Sequence, residues 1–179
     1  MKIVEHIENY VGEISSAINI TDKKYNVTIS LHERTPFDEV STYSTLGLNR
    51  YFIDYYFEFI FVCGNNFSKS EIASFLTSFS EYLIEQGKSV RQGDVISLDF
   101  RMTSETKMNS LYFTLPFYFD ENLQQLDLEE RSVIFPLIIP VHYEEAQLIR
   151  EKGWSSFEEF LEENEIDSLW DLNREVYVW

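Results

Sequence analysis

With 179 residues, 44% of them apolar and 16% aromatic, the chain can form one packed domain over 1–179, and disorder is excluded. A formal net charge of −17 excludes direct nucleic-acid binding and adsorption to anionic membranes, and suits a basic protein partner instead. The single cysteine, Cys63, allows no intramolecular disulfide, and acids interrupt the first apolar residues so that no signal-peptide core forms; a soluble cytoplasmic protein is expected.

Ile3, Ile7, Tyr10, Val11, Ile14 and Ile18 recur at helical spacing and predict a helix over residues 2–19. Alternation from Tyr25 to Glu33 predicts a strand, Arg34 to Glu39 a turn, and Val40 to Gly47 a short polar strand. From Tyr51 to Cys63, Ile53, Tyr55, Phe57, Phe59 and Phe61 alternate with Asp54, Tyr56 and Glu58, which predicts one continuous strand. Such aromatics suit packing across a sheet better than base stacking. Ser68 and Glu71 form a capping box for a helix carrying Ile72, Phe75, Leu76, Phe79 and Leu83, with Gly87 at its C-cap. A strand follows at 95–100. Tyr112 to Asp120 and Ser132 to Tyr143 are apolar on both faces and predict strands buried from two sides, joined by an acidic loop from Asp120 to Arg131. A helix around Ala146 and Ile149 should end at Gly153. Ser155 and Glu158 suggest a capping box for a short helix to Glu163, and residues 166–178 read as helical or mixed. The pattern is that of a mixed sheet surrounded by helices.

Catalytic chemistry finds no support. There is no nucleophile elbow, and the six glycines are too scattered to cradle a phosphate or a dinucleotide. His142 with Glu144 and Glu145 has the residue types of a metal site but no second histidine or cysteine at ligand spacing. Acids at a helix N-terminus explain those glutamates without a metal. No catalytic residue, metal or cofactor is therefore expected, and a hydrolase would require a pocket of convergent polar groups.

The acids are unevenly placed: residues 120–179 hold 16 Asp and Glu against 4 Lys and Arg. Glu158 with Glu162, and Glu159 with Glu163, are like charges one helical turn apart, each pair costing about 0.2–0.5 kcal/mol. Local stability does not explain them, so the segment is either a solubilising face or a binding face.

Thr42-Tyr-Ser-Thr-Leu-Gly-Leu48, Gly93-Asp-Val-Ile96, Tyr112-Phe-Thr-Leu-Pro-Phe-Tyr-Phe-Asp120, Ile139-Pro-Val141 and Gly153-Trp154, with Phe157, Leu161, Asp167, Asp171 and Arg174, carry a likeness to a known family. Over residues 40–175 the chain resembles the Suppressor-of-Fused-like domain, in particular short bacterial members such as the antitoxin encoded beside secreted LXG-type toxins in Bacillus. The resemblance implies an α/β sandwich with a mixed central β-sheet flanked by helices, no catalytic activity, and an immunity role against a cognate toxin, often a nuclease. The further C-terminal domain of the animal members is not expected, nor is their signalling role.

The resemblance transfers no contact residues. The charge pattern makes Glu158, Glu159, Glu162, Glu163 and Glu165, with Asp167 and Asp171, the candidate toxin-binding residues. The alternative is a regulatory or adaptor module that captures an extended peptide by strand addition, with Val40 to Leu48 as the exposed sheet edge.

Overall fold

A computed structural model describes residues 2–18, 20, 23–53 and 55–179. Asn19, the expected end of the first helix, and Asp54, in the expected alternation, lie outside the described residues.

The main sheet has seven strands in the order β1-β2-β3-β5-β10-β7-β6. These are β1 (Ser16–Ile18), β2 (Thr28–Glu33), β3 (Val40–Leu46), β5 (Ile60–Gly64), β6 (Val95–Ser97), β7 (Ser110–Thr114) and β10 (Leu137–Val141). A smaller sheet joins β4 (Tyr56–Phe57), β9 (Ser132–Ile134) and β8 (Gln125–Asp127) in that order. Period-two alternation divides the core. Phe61, Cys63, Leu111, Phe113 and Ile138 pack on one face with α2 (Lys69–Gln86). Ile60, Val62, Tyr112, Leu137 and Val141 pack on the other, with α1 (Lys2–Tyr10), α3 (Tyr143–Lys152) and α4 (Trp154–Glu163). The mixed sheet between helical layers is the expected α/β architecture. Cys63 is buried, and desolvation pushes its thiol up to about 12.

The α2 helix has the expected ends. Glu71 N–H donates to Ser68 Oγ at 3.4 Å, and Gly87 closes the helix at φ 59°. The capping box is only half made, because the Glu71 carboxylate accepts from Ser104 N–H at 3.3 Å. By contrast α1 stops at Tyr10. Gly12, at φ 119°, turns the chain, and residues 16–18 pair with β2 as an edge strand instead of extending the helix.

Two predicted strands are each broken in two. Residues 51–63 divide into β4 and β5, and residues 132–143 into β9 and β10. Both segments leave the small sheet for the large one side by side. The parallel pairs Tyr56↔Val133 and Phe57↔Ile134 are followed by Leu137↔Ile60 and Ile138↔Phe61. Glu58 N–H to Ile134 O and Ile60 N–H to Pro136 O, both 3.0 Å, carry the ladder across the bend. Pro136 cannot donate there, and Glu58 is fully buried, with its carboxylate caged. Thr45 Oγ1 (2.7 Å), Gly47 N–H (2.8 Å), Leu48 N–H and Asn49 N–H (both 3.2 Å) and Asn49 Nδ2 all donate to it.

The strand at Val40–Leu46 is not an edge. It lies between β2 and β5, pairs with both and is buried, which removes the basis for peptide capture at that segment. Its polar side chains are satisfied internally: Ser41 Oγ donates to Asn65 Oδ1, and Thr42 Oγ1 to Thr35 O, both at 2.6 Å.

The run Tyr112–Asp120 is buried only through β7. Beyond Thr114 it turns outward, leaving Leu115 41% and Phe117 50% exposed. The acidic loop contains β8, and residues 166–178 form turns and irregular chain rather than a helix. Among the described residues no helix is long and apolar enough to cross a membrane.

Candidate partner-binding groove

The outward turn after β7 and helix α4 bound a groove of about 670 Å³. The turn is held by Phe117 N–H to Leu115 O (2.8 Å) and Phe119 N–H to Pro116 O (3.0 Å). Helix α4 is seated by Phe157, whose ring meets Tyr112 edge-on at 5.3 Å, and by Leu161. Buried Tyr112 and Ile139 form the floor, and Phe37, Leu115, Phe117 and Ile166 give apolar walls. Tyr118 fixes one end: its ring packs on Phe117 (4.4 Å) and Phe37 (5.8 Å), and its hydroxyl donates to Asp167 O at 2.8 Å. Burial, then the Asp167 charge, holds that phenol well above its ordinary range.

Four of the seven candidate carboxylates, Glu158, Glu162, Glu165 and Asp167, line this groove. Glu159 and Glu163 are exposed on α4 outside the lining. Asp171 also lies outside it, in a turn where its carboxylate accepts from Asn173 N–H at 2.9 Å. Glu158 is half-buried and fixed, because its Oε1 accepts from Tyr112 Oη (2.6 Å) and Thr114 Oγ1 (2.5 Å). Desolvation and that carboxylate push the Tyr112 phenol far up. The expected Ser155–Glu158 capping box does not form: α4 begins at Trp154, directly after Gly153, and Ser155 lies inside the helix.

Among the described residues no lysine or arginine forms an ion pair with the acidic rim. Among the described residues the ion pairs are Lys24–Glu85, Lys69–Glu33 and Arg174–Glu145, none of which includes the seven candidates. Elsewhere the charge reverses: a cleft of about 490 Å³ is lined by Lys2, Arg50 and Arg131 and by no acid. The groove lining contains no Ser, Cys, His, Lys or Arg, and the Tyr112 and Thr114 hydroxyls that reach Glu158 belong to buried side chains.

Of His142, Glu144 and Glu145, the first and last form a structural joint, and Glu144 is exposed beside them. Both Glu145 oxygens are occupied by Arg174, with Tyr177 N–H at 2.8 Å and His142 N–H at 2.9 Å, and His142 Nε2 lies 3.0 Å from Arg174 O. Among the described residues no three His, Cys, Asp or Glu side chains come together as a metal site.

The sequence pattern of the Suppressor of fused protein (SUFU) family matches residues 23–175. This chain belongs to the Suppressor of fused family. It is 26% identical over 163 residues to Immunity protein YqcF of Bacillus subtilis (strain 168), covering 88% of this chain and 84% of that protein. Its fold is similar to the crystal structure of a SUFU homolog from Neisseria gonorrhoeae FA 1090, with TM-score 0.75 and 16% identity over 99% of this chain and 95% of that one. It is also similar to a chain of the Sufu-Fu complex, with TM-score 0.74 and 16% identity over 98% and 90% of the two chains.

Most of the blocks that resemble the Suppressor of fused family prove to be framework. Thr42–Leu48 is β3 with the turn over Glu58, Gly93–Ile96 leads into β6, Ile139–Val141 closes β10, and Arg174 anchors the tail to Glu145. The exceptions line the groove: Leu161 and Asp167 from α4 and the segment after it, and Leu115 and Phe117 where the chain leaves the sheet. Reading the 112–120 run as one buried strand missed Leu115 and Phe117. Pro116, which cannot donate to a ladder, was the available signal.

Proposed function

We propose that this Suppressor of fused protein is an immunity protein, an antitoxin that binds and neutralises a cognate toxin of a bacterial polymorphic toxin system. The toxin is a basic nuclease domain of the LXG type, bound non-catalytically in the cytoplasm. The observation that carries this reading is the 26% identity over 163 residues to Immunity protein YqcF. The unneutralised carboxylates on and after α4 support the charge of the partner. A nuclease cleft must be positive to hold phosphates, and an acidic surface offered to it imitates the substrate's field and speeds encounter.

The test is co-expression with the toxin domain encoded beside this gene. Growth should be restored, and the two proteins should co-purify. Toxicity unchanged by an equal amount of this protein would refute the reading. Converting Glu159, Glu162, Glu163 and Glu165 to Gln should slow association several-fold and flatten its salt dependence, because steering is screened beyond a Debye length of about 8 Å. An unchanged on-rate would move the contact to another face.

A further inference from the structure

We propose that the groove between the Leu115–Phe117 turn and α4 is the anchoring pocket of the interface, and that its occupant is an apolar side chain flanked by Lys or Arg on the partner. This rests on the reading that the partner is a basic protein.

Leu115 and Phe117 are large apolar side chains left 41% and 50% exposed, with Phe37, also 41% exposed, in the same lining. Scattered exposed apolar residues need no explanation, but here three converge on one concavity of about 670 Å³, within the range of known ligand sites. Charge selects the occupant. Glu158, Glu162, Glu165 and Asp167 line the same groove without basic partners among the described residues, in a chain of net charge −17. A second copy docked groove to groove would bring rim against rim and be repelled, as would an anionic ligand or membrane, and any head-to-tail approach of its Lys2, Arg50 and Arg131 cleft works against a net charge of −17 on each chain. A purely apolar ligand would leave the rim unused. A hydrophobic anchor with cationic neighbours fills the walls and pairs with the rim together, the arrangement of an interface hot spot inside a charged border.

The roles of the two parts differ kinetically. The rim acts on encounter, so its removal lowers kon; the pocket holds the complex, so its loss raises koff.

The test uses the full-length protein, labelled with nitrogen-15, and three hexapeptide probes: acetyl-Lys-Arg-Trp-Leu-Arg-Lys-amide, the same peptide with Ser-Ser in place of Trp-Leu, and one with Glu in place of every base. The first should shift amide resonances at Leu115, Phe117 and Ile166 and bind at least tenfold more tightly than either control. Phe117→Ser should abolish those shifts while lowering the thermal midpoint by only about 2–4 °C, since half of the ring is already exposed. Equal binding of the Ser-Ser peptide, equal binding of the Glu peptide, or shifts confined to other faces would each overturn the inference. With the cognate toxin domain, Phe117→Ser and Leu115→Asn should raise Kd at least tenfold through koff, and unchanged dissociation would overturn the pocket alone. Failure of co-expression rescue with the peptide result intact would sink the immunity reading and leave the pocket standing.

Discussion

Replacing Arg174 by methionine removes the cation from the most enclosed ion pair among the described residues. The Arg174 side chain is 4% exposed and that of Glu145 is fully buried. Arg174 Nη1 and Nη2 reach the two Glu145 oxygens at 2.5 and 2.8 Å, and Nη2 also donates to Pro140 O at 3.2 Å. Methionine fills much of the arginine stem but leaves a buried carboxylate with only the His142 and Tyr177 N–H groups for compensation. Breaking one half of such a pair costs about 3–5 kcal/mol, against a total stability of about 5–15 kcal/mol. For a chain of this length that lowers Tm by roughly 6–20 °C. Urea melts at neutral pH, fitted with a common slope, measure the loss directly. A double-mutant cycle with Glu145→Gln separates the pair from packing, since the amide oxygen still accepts one backbone N–H. The double variant should be more stable than Arg174→Met alone. A loss under about 1 kcal/mol for Arg174→Met, or strict additivity in the cycle, would refute the claim that the tail is held by this pair.

Glu58→Gln should cost about 1–3 kcal/mol in the same melts, because burial raises the carboxyl pKa while the surrounding donors hold it, and an amide NH2 turned toward them orphans at least Leu48 N–H. A variant as stable as the parent would mean that the cage is not an energetic feature. His32 is neutral: Nδ1 donates to Gly12 O at 2.7 Å, and desolvation lowers its pKa below the ordinary 6.5, as it does for His6. At these histidines the unfolded chain therefore takes up protons first, so stability should fall more steeply as pH drops below 6.5 in the parent than in His6→Gln/His32→Gln, with Glu58, raised by burial and opposite in sign, common to both; superimposable profiles would contradict the assignment. Gly93→Ala should destabilise by roughly 1–3 kcal/mol, since φ is +90° and a Cβ would meet the Trp154 side chain; a neutral thermal melt would show that Trp154 gives way.

What was legible followed local rules. Ser68 and Gly87 bound α2 because capping depends only on neighbouring residues, and the alternation of Phe57, Phe59 and Phe61 puts them on the core face as expected. Central placement of β3 was not legible. Ser41, Thr42, Ser44 and Thr45 look like solvent residues until their partners on other segments are known, namely Asn65, Thr35, Ser30 and Glu58. The bends at Glu58 and Pro136 likewise depend on two segments lying side by side, which periodicity along one chain does not encode. The acidic character of the groove could be read from composition, but its apolar walls could not. They come from Phe37, Leu115 and Ile166, three distant stretches brought together by the topology.

The parallel pairing of β5 with β10 has a consequence for biosynthesis. The first half of the large sheet can form as a meander as soon as Gly64 is made, but its inner flank waits for Leu137. Roughly 75 residues separate Ile60 from its partner, which at about 5–20 residues per second leaves the nascent chain with an open strand for on the order of 4–15 s. During that interval on the ribosome, Ile60 and Phe61 lack their β10 partners, and the open strand edge is free to pair with other chains.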